Sequence, residues 1–194
     1  MKTTRQLLRG FAVVLAVSVI GACSDSGMGE RVLAARPPGG DFVLQSTAGP
    51  LDTKALRGKV LLVYFGYVNC PDVCPVSMAA GAAALNALTP AERVRTQMIM
   101  VSVDPERDTP AKLKDYVAYF HPAMLGAVGT PAETAAIAKS FGVGYVRQPN
   151  RPDGGYAVDH SSQTYVVGPD GKLMDMLPLG VATDQVVAAV RKLL

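Results

Sequence analysis

The chain has 194 residues, with 19 Lys and Arg against 16 Asp and Glu, three Cys and two His. That length is enough for one domain with a real core and leaves little for a second. The small basic excess forms no Lys/Arg cluster, which excludes the electrostatic footprint that nucleic-acid binding needs.

Lys2, Arg5 and Arg9 precede an uncharged run over residues 10–22 that stops at Cys23. This is the layout of a secretory signal peptide. The run is shorter than the roughly 17–25 apolar residues of a membrane-crossing helix. It ends in Ile20-Gly21-Ala22-Cys23, which resembles a bacterial lipobox, so residues 1–22 are expected to be a lipoprotein signal peptide and Cys23 the lipid-bearing residue. Two or more acyl chains there hold a protein durably at a membrane. The rival readings are an uncleaved signal anchor and ordinary cleavage nearby. Removal of residues 1–22 takes away three basic side chains and no acidic one, leaving 16 of each sign. Residues 23–40 are small, charged and rich in Pro and Gly towards Arg36-Pro37-Pro38-Gly39-Gly40, and read as a flexible tether. The folded domain is expected over 41–194.

Residues 60–65 are continuously apolar and β-rich, as in a central strand buried on both faces. Cys70-Pro71-Asp72-Val73-Cys74-Pro75 follows at once. An Ala- and Leu-rich segment then runs to about Leu88 with helix formers throughout except Gly81. A second apolar strand is predicted over 98–103. Thr109-Pro110 reads as an N-cap with Pro in the first turn, opening a helix to about Phe120. Thr130-Pro131-Ala132-Glu133 carries the same signal with a capping-box Glu, and its helix should end near Gly142. After a polar loop, residues 163–167 and 172–177 flank Gly168-Pro169-Asp170-Gly171, predicting two strands joined by a turn. Thr183 is expected to cap a last helix. Helices alternating with buried strands predict an α/β sheet with helices on both faces. There is no P-loop, since Gly58-Lys59 is followed by Val60, and no serine sits in a nucleophile elbow.

With Cys23 assigned to lipid, Cys70 and Cys74 remain as a pair, in a compartment where disulfides persist. They sit where a buried strand gives way to a helix, the end at which reactive groups gather in open α/β sheets. Pro75 is best tolerated in the first turn of a helix, which puts Cys74 at or beside the N-cap. The unpaired N–H groups and dipole there favour negative charge, so both sulfurs are expected to be unusually acidic. A thiol pair here is a static disulfide, a redox couple or a soft-metal site. The static bridge is disfavoured because so short a loop is already tethered at both ends. Redox couples normally have two intervening residues, whereas this pair has three, giving a wider bite for a metal. Spacing alone leaves these two readings open.

A third ligand has to come from the two histidines. His121, between a predicted helix and Pro122, reads as a solvated loop residue. His160 lies in Val158-Asp159-His160-Ser161-Ser162, just before a predicted strand, and in a thioredoxin-like sheet the loop entering that strand faces the cysteine loop. The alternative is a loop imidazole held by Asp159. Asp159 itself is either a partner that orients His160 or a turn residue.

These segments together resemble the SCO/SenC family of copper chaperones for cytochrome oxidase. The resemblance covers nearly everything from Asp41 onward and rests on four stretches. These are Gly58-Lys59-Val60; Phe65-Gly66-Tyr67 with the cysteine loop; Val103-Asp104-Pro105-Glu106-Arg107-Asp108-Thr109; and Val158-Asp159-His160 with the later Gly168-Pro169-Asp170-Gly171. Val68 and Met78 depart from the more usual Thr and Leu, neither at a ligand position. The resemblance implies a thioredoxin-like fold with an extra hairpin, and a site for one copper ion formed by Cys70, Cys74 and His160. It further implies delivery of that copper to the copper-bearing subunit of cytochrome c oxidase, from the periplasmic side of a bacterial membrane. Two thiolates and a neutral imidazole leave Cu(II) with no net charge and Cu(I) with one negative charge, so both oxidation states suit. The rival function is a thiol-disulfide oxidoreductase that reduces the cysteines of the oxidase site or of a periplasmic copper carrier. Cys70 or Cys74 would be the attacking thiolate, regenerated by a thioredoxin-like reductant. A peroxidase is disfavoured, because the loop lacks a single-cysteine arrangement. The Asp104 to Thr109 loop either borders the site or only caps a helix through Thr109.

Overall fold

The computed structural model describes residues 36–194. The expected signal peptide, Cys23 and the tether up to residue 35 lie outside the described residues. The chain runs through a hairpin of β1 (Val43–Ser46) and β2 (Gly49–Asp52), then β3 (Val60–Gly66), α1 (Val73–Ala87), α2 (Pro90–Val94) and β4 (Thr96–Ser102). It continues with α3 (Pro110–Phe120), β5 (Leu125–Ala127), α4 (Pro131–Phe141) and a short pair, β6 (Tyr145–Arg147) and β7 (Val158–His160). It closes with β8 (Thr164–Val167), β9 (Leu173–Leu177) and α5 (Thr183–Arg191).

The main sheet has the order β5-β4-β3-β8-β9. β4 and β5 run parallel to β3, whereas β8 pairs with β3 antiparallel and β9 with β8 antiparallel. The thioredoxin-like mixed sheet expected from the sequence is therefore present. All seven residues of β3 are buried, as its unbroken apolar run requires of a central strand covered on both faces. Side chains alternate across it. Phe65 packs on Phe141 of α4 at 5.4 Å and on Tyr165 of β8 at 5.5 Å between ring centroids. Tyr64 and Gly66 face α1 instead, beside Cys74.

Several elements differ from expectation for identifiable reasons. Thr89 makes a full capping box with Glu92 and starts α2, from the same Thr-Pro-Ala-Glu signal that opens α4. β5 and β6 have three residues each, too short for a period-2 pattern to show. Ala182, rather than Thr183, occupies the N-cap of α5, and Thr183 is its first residue. His121 is buried at 7 % exposure, not solvated: it ends α3, and its Nδ1 accepts from the Ala123 amide at 3.1 Å. Residues 36–40, read from sequence as the end of the tether, lie against the domain. The Gly39 amide donates to the Ser140 carbonyl at 2.9 Å, and the Arg36 guanidinium donates to the Met174 carbonyl.

Gly81, the one glycine in α1, has a packing reason. A Cβ there would overlap the thioether of Met98, which is fully buried in β4. Alanine would add about 1 kcal/mol of helix propensity, against about 1–3 kcal/mol for overpacking a filled core. Gly81→Ala is therefore expected to destabilise the domain by about 1 kcal/mol in denaturant unfolding, and a gain in stability would refute this account of the packing.

Candidate metal centre

Cys70 and Cys74 arrive by different routes. Beyond β3, the Cys70 amide donates to the Tyr67 carbonyl at 3.2 Å, a tight turn at the carboxyl end of that strand. Cys74 is the second residue of α1, inside the first turn, with Asp72 at the N-cap making no side-chain capping bond. Gly66 makes this approach feasible: a Cβ there would stand 2.7 Å from Cys74 Sγ and 2.8 Å from the Tyr64 ring. Both thiols are free and buried, Cys70 at 8 % exposure and Cys74 at 0 %.

His160 comes from the end of β7, paired in register with Tyr145 of β6. Its Nε2 lies 3.4 Å from Cys74 Sγ and 3.8 Å from Cys70 Sγ, and all three donor atoms fall within 4.8 Å of one another. Its Nδ1 lies 2.9 Å from the Ser161 carbonyl. A carbonyl can only accept, so Nδ1 carries the proton and the Nε2 lone pair points at the sulfurs. The rings of Tyr64 and Tyr67 hold the imidazole edge-on from two sides, at 6.1 and 5.8 Å. Burial holds the His160 pKa below its usual value, against the opposing pull of the Ser161 carbonyl and the Asp159 charge. The ring therefore presents a neutral lone pair at pH 7.

Asp159 is not the group that orients His160. Adjacent strand residues point to opposite faces, and its exposed carboxylate accepts from Gln148 Nε2 at 2.6 Å instead. The Ser161 carbonyl holds the ring, a contact invisible in sequence because any residue supplies a carbonyl.

The expected acidity does not hold for Cys74. Burial pushes its thiol up to about 12, and the neighbouring Cys70 charge adds to the effect, against a backbone hydrogen bond from Tyr67 that lowers it. Two buried sulfurs side by side resist joint ionisation unless a cation neutralises them. A metal bonded to sulfur at about 2.3 Å and to nitrogen at about 2.0 Å holds those donors about 3.5 Å apart, so the observed sulfur–nitrogen spacing fits one ion.

The Asp104 to Thr109 loop both borders the site and caps a helix. Thr109 Oγ1 accepts from the Lys112 amide at 3.3 Å. Asp108 Oδ2 accepts from Ser102 Oγ at 2.6 Å and from the Val68 amide at 3.2 Å, which ties the cysteine loop to the end of β4. Arg107 pairs with Asp104 and lies 5.6 Å from the Tyr67 ring and 3.5 Å from the Tyr156 ring. Tyr64, Gly66, Tyr67, Arg107 and Ser161 are thus supporting residues that the sequence did not mark as such.

The SCO1/SenC family model matches residues 32–194. Mitochondrial Protein SCO1 of Saccharomyces cerevisiae is 39 % identical over 141 residues, covering 72 % of this chain and 48 % of that protein. The chain spans about half the length of the curated relatives it matches. Among solved structures, Bradyrhizobium japonicum ScoI with copper bound superposes with a TM-score of 0.74 at 36 % identity, covering 81 % of this chain and 99 % of that one. BsSco is described as a member of the Sco family of cytochrome c oxidase assembly proteins with a disulfide switch. It superposes with a TM-score of 0.63 at 28 % identity, covering 81 % of this chain and 94 % of that one. Matched across all but one end of its sequence, with the same fold in a copper-bound relative, the chain belongs to the SCO1/SenC family.

Proposed function

We propose that this protein is a copper metallochaperone that binds one copper ion through Cys70, Cys74 and His160 and passes it to the copper-bearing subunit of cytochrome c oxidase. The observation that carries the reading is the convergence of two buried sulfurs and an imidazole lone pair within 4.8 Å. Soft thiolates suit Cu(I), and a neutral imidazole supplies the third donor that Cu(II) favours. Copper is cargo here, so ligand exchange with a partner has to reach it. Cys70 is the more exposed sulfur and follows the exposed Asn69. The copper-bound ScoI relative and the description of BsSco as an oxidase assembly protein support the metal and the target.

A thiol-disulfide oxidoreductase is the second reading, favoured by the closeness of the two free sulfurs. In that chemistry Cys70 is the better attacking group, because Cys74 is fully buried and its thiol is hard to ionise. Thiol exchange does not need His160. If a His160→Ala strain still assembles the oxidase normally under copper limitation, the oxidoreductase reading replaces the chaperone.

The lipobox-like Ile20-Gly21-Ala22-Cys23 supports a lipoprotein held on the periplasmic side of a bacterial membrane, in reach of an oxidase subunit and of periplasmic copper carriers. Among the described residues no helix is long and apolar enough to cross a membrane. Cys23→Ser is expected to abolish incorporation of labelled palmitate and release the protein from the membrane fraction; retained labelling would rule out Cys23 as the anchor.

Anaerobic copper titration of the reduced domain tests the site directly. Wild type should bind one copper with intense sulfur-to-copper charge transfer. His160→Ala should weaken Cu(II) more than Cu(I), because two thiolates alone satisfy Cu(I) but leave Cu(II) short of a donor. Equal losses for both ions would refute the three-donor site.

Affinity should also depend on pH with a definite sign. The Cys74 thiol, pushed up to about 12, is protonated at neutral pH and must release its proton when it binds a metal. His160, held below its usual value, has none to release at pH 7. Apparent copper affinity should therefore rise with pH by at least about tenfold per unit between pH 7 and 9. A flat profile in a competition titration would show that Cys74 is not a ligand.

A further inference from the structure

The Tyr64 hydroxyl lies 3.7 Å from Cys74 Sγ, in a residue with no exposure to solvent. Tyr64 sits on β3 two residues before Gly66, on the face that carries α1, and its ring also meets the His160 imidazole edge-on. One phenol thus touches two of the three donors. In a reduced, metal-free protein either group could give the proton, since a thiol and a phenol both donate and accept. When Cys74 binds a metal as thiolate it has no proton left, and the phenol is then the only possible donor of that hydrogen bond. A second phenol, Tyr116 of α3, lies within electrostatic reach of both sulfurs, yet its buried hydroxyl has no hydrogen-bond partner. Tyr116 is thus a phenol that feels the same sulfurs without the bond.

We propose that Tyr64 is a positioning residue of this site: its hydroxyl donates a hydrogen bond to the Cys74 sulfur and so biases the site towards Cu(I) over Cu(II). A hydrogen bond to a thiolate withdraws electron density from sulfur, and the protein tunes copper potentials through this contact. Cu(II) depends more than Cu(I) on sulfur donation, so the bond costs Cu(II) more. The same donor stabilises reduced Cys74 over the disulfide, because it holds a free sulfur that has to shift to form the S–S bond. The metal half of this inference rests on the copper reading above; the thiol half stands without it.

The test compares wild type with Tyr64→Phe and Tyr116→Phe in two measurements. In the Cu(II) form, Tyr64→Phe should move the sulfur-to-copper charge-transfer band to lower energy. It should shift the ratio of Cu(I) to Cu(II) affinity towards Cu(II) by about three- to tenfold, the scale of one hydrogen bond. In the metal-free protein, the same variant should shift the Cys70–Cys74 dithiol–disulfide equilibrium with glutathione towards the disulfide by about the same factor. Tyr116→Phe should leave both readouts at wild-type values. A Tyr64→Phe protein that matches wild type in both overturns the inference, as does an equal shift in Tyr116→Phe, which would trace the effect to local polarity. If wild type binds no copper, the chaperone reading fails, and the glutathione equilibrium alone decides the role of Tyr64.

Discussion

Tyr64 of β3 pairs with Thr164 of β8 in antiparallel register, and the site depends on that pairing. β3 delivers the cysteine loop at its carboxyl end, while β8 begins beside that same end, four residues after His160. Loop closure across so many residues is entropically costly, and the sheet hydrogen bonds of a strand buried on both faces offset it. The short segment between β7 and β8 has little freedom left. The Ser161 amide donates to the Gly144 carbonyl at 2.9 Å, and the Ser161 carbonyl faces His160 Nδ1. Ser161 therefore anchors the hairpin and aims the imidazole at the sulfurs in one step.

Burial gives this arrangement its chemistry. Cys74 lies where a helix N-terminus meets the sheet, which in a solvated setting lowers a thiol's pKa. Here the sulfur is fully buried beside a second sulfur, and desolvation raises its thiol. A buried neutral imidazole adds a donor without adding charge. With Cys74 held as a thiol and His160 neutral, ionising the buried Cys74 sulfur calls for a cation to compensate it.

The polar groups around the pocket hold its walls. Asp108 is buried and its carboxyl is raised by desolvation, yet it accepts from both Ser102 and the Val68 amide. It thereby joins the end of β4 to the start of the cysteine loop. Arg107 lies against the rings of Tyr67 and Tyr156, donates to the Tyr156 carbonyl at 2.9 Å, and pairs with Asp104. The Tyr156 hydroxyl returns a hydrogen bond to Asp104 at 2.7 Å. This cluster fastens the segment between β6 and β7 to the loop after β4, so the histidine arm rests on the same elements that border the cysteines.

Much of the fold was legible because its signals are local. The unbroken apolar run of β3, the Thr-Pro starts of α3 and α4 and the Gly168 to Gly171 turn each specify an element from neighbouring residues alone. The cysteine spacing and the His160 segment, read with the family resemblance, named the three donors that the structure brings together. What stayed hidden depends on contacts between residues far apart in the chain. Three-residue strands such as β5 and β6 exist only because a neighbour pairs with them. The burial of His121, the role of Gly66 as the gap that admits Cys74, and the Tyr64 hydroxyl at its sulfur are equally tertiary. Asp159, next to His160 in sequence, turns to the opposite face, and a backbone carbonyl takes the place that its charge suggested. By itself the sequence determined which residue types meet and the order of the elements, since periodicity and capping act within a few residues. Only the tertiary structure decided the protonation of the Cys74 thiol and the orientation of the imidazole, because desolvation and hydrogen bonding depend on what packs around each group.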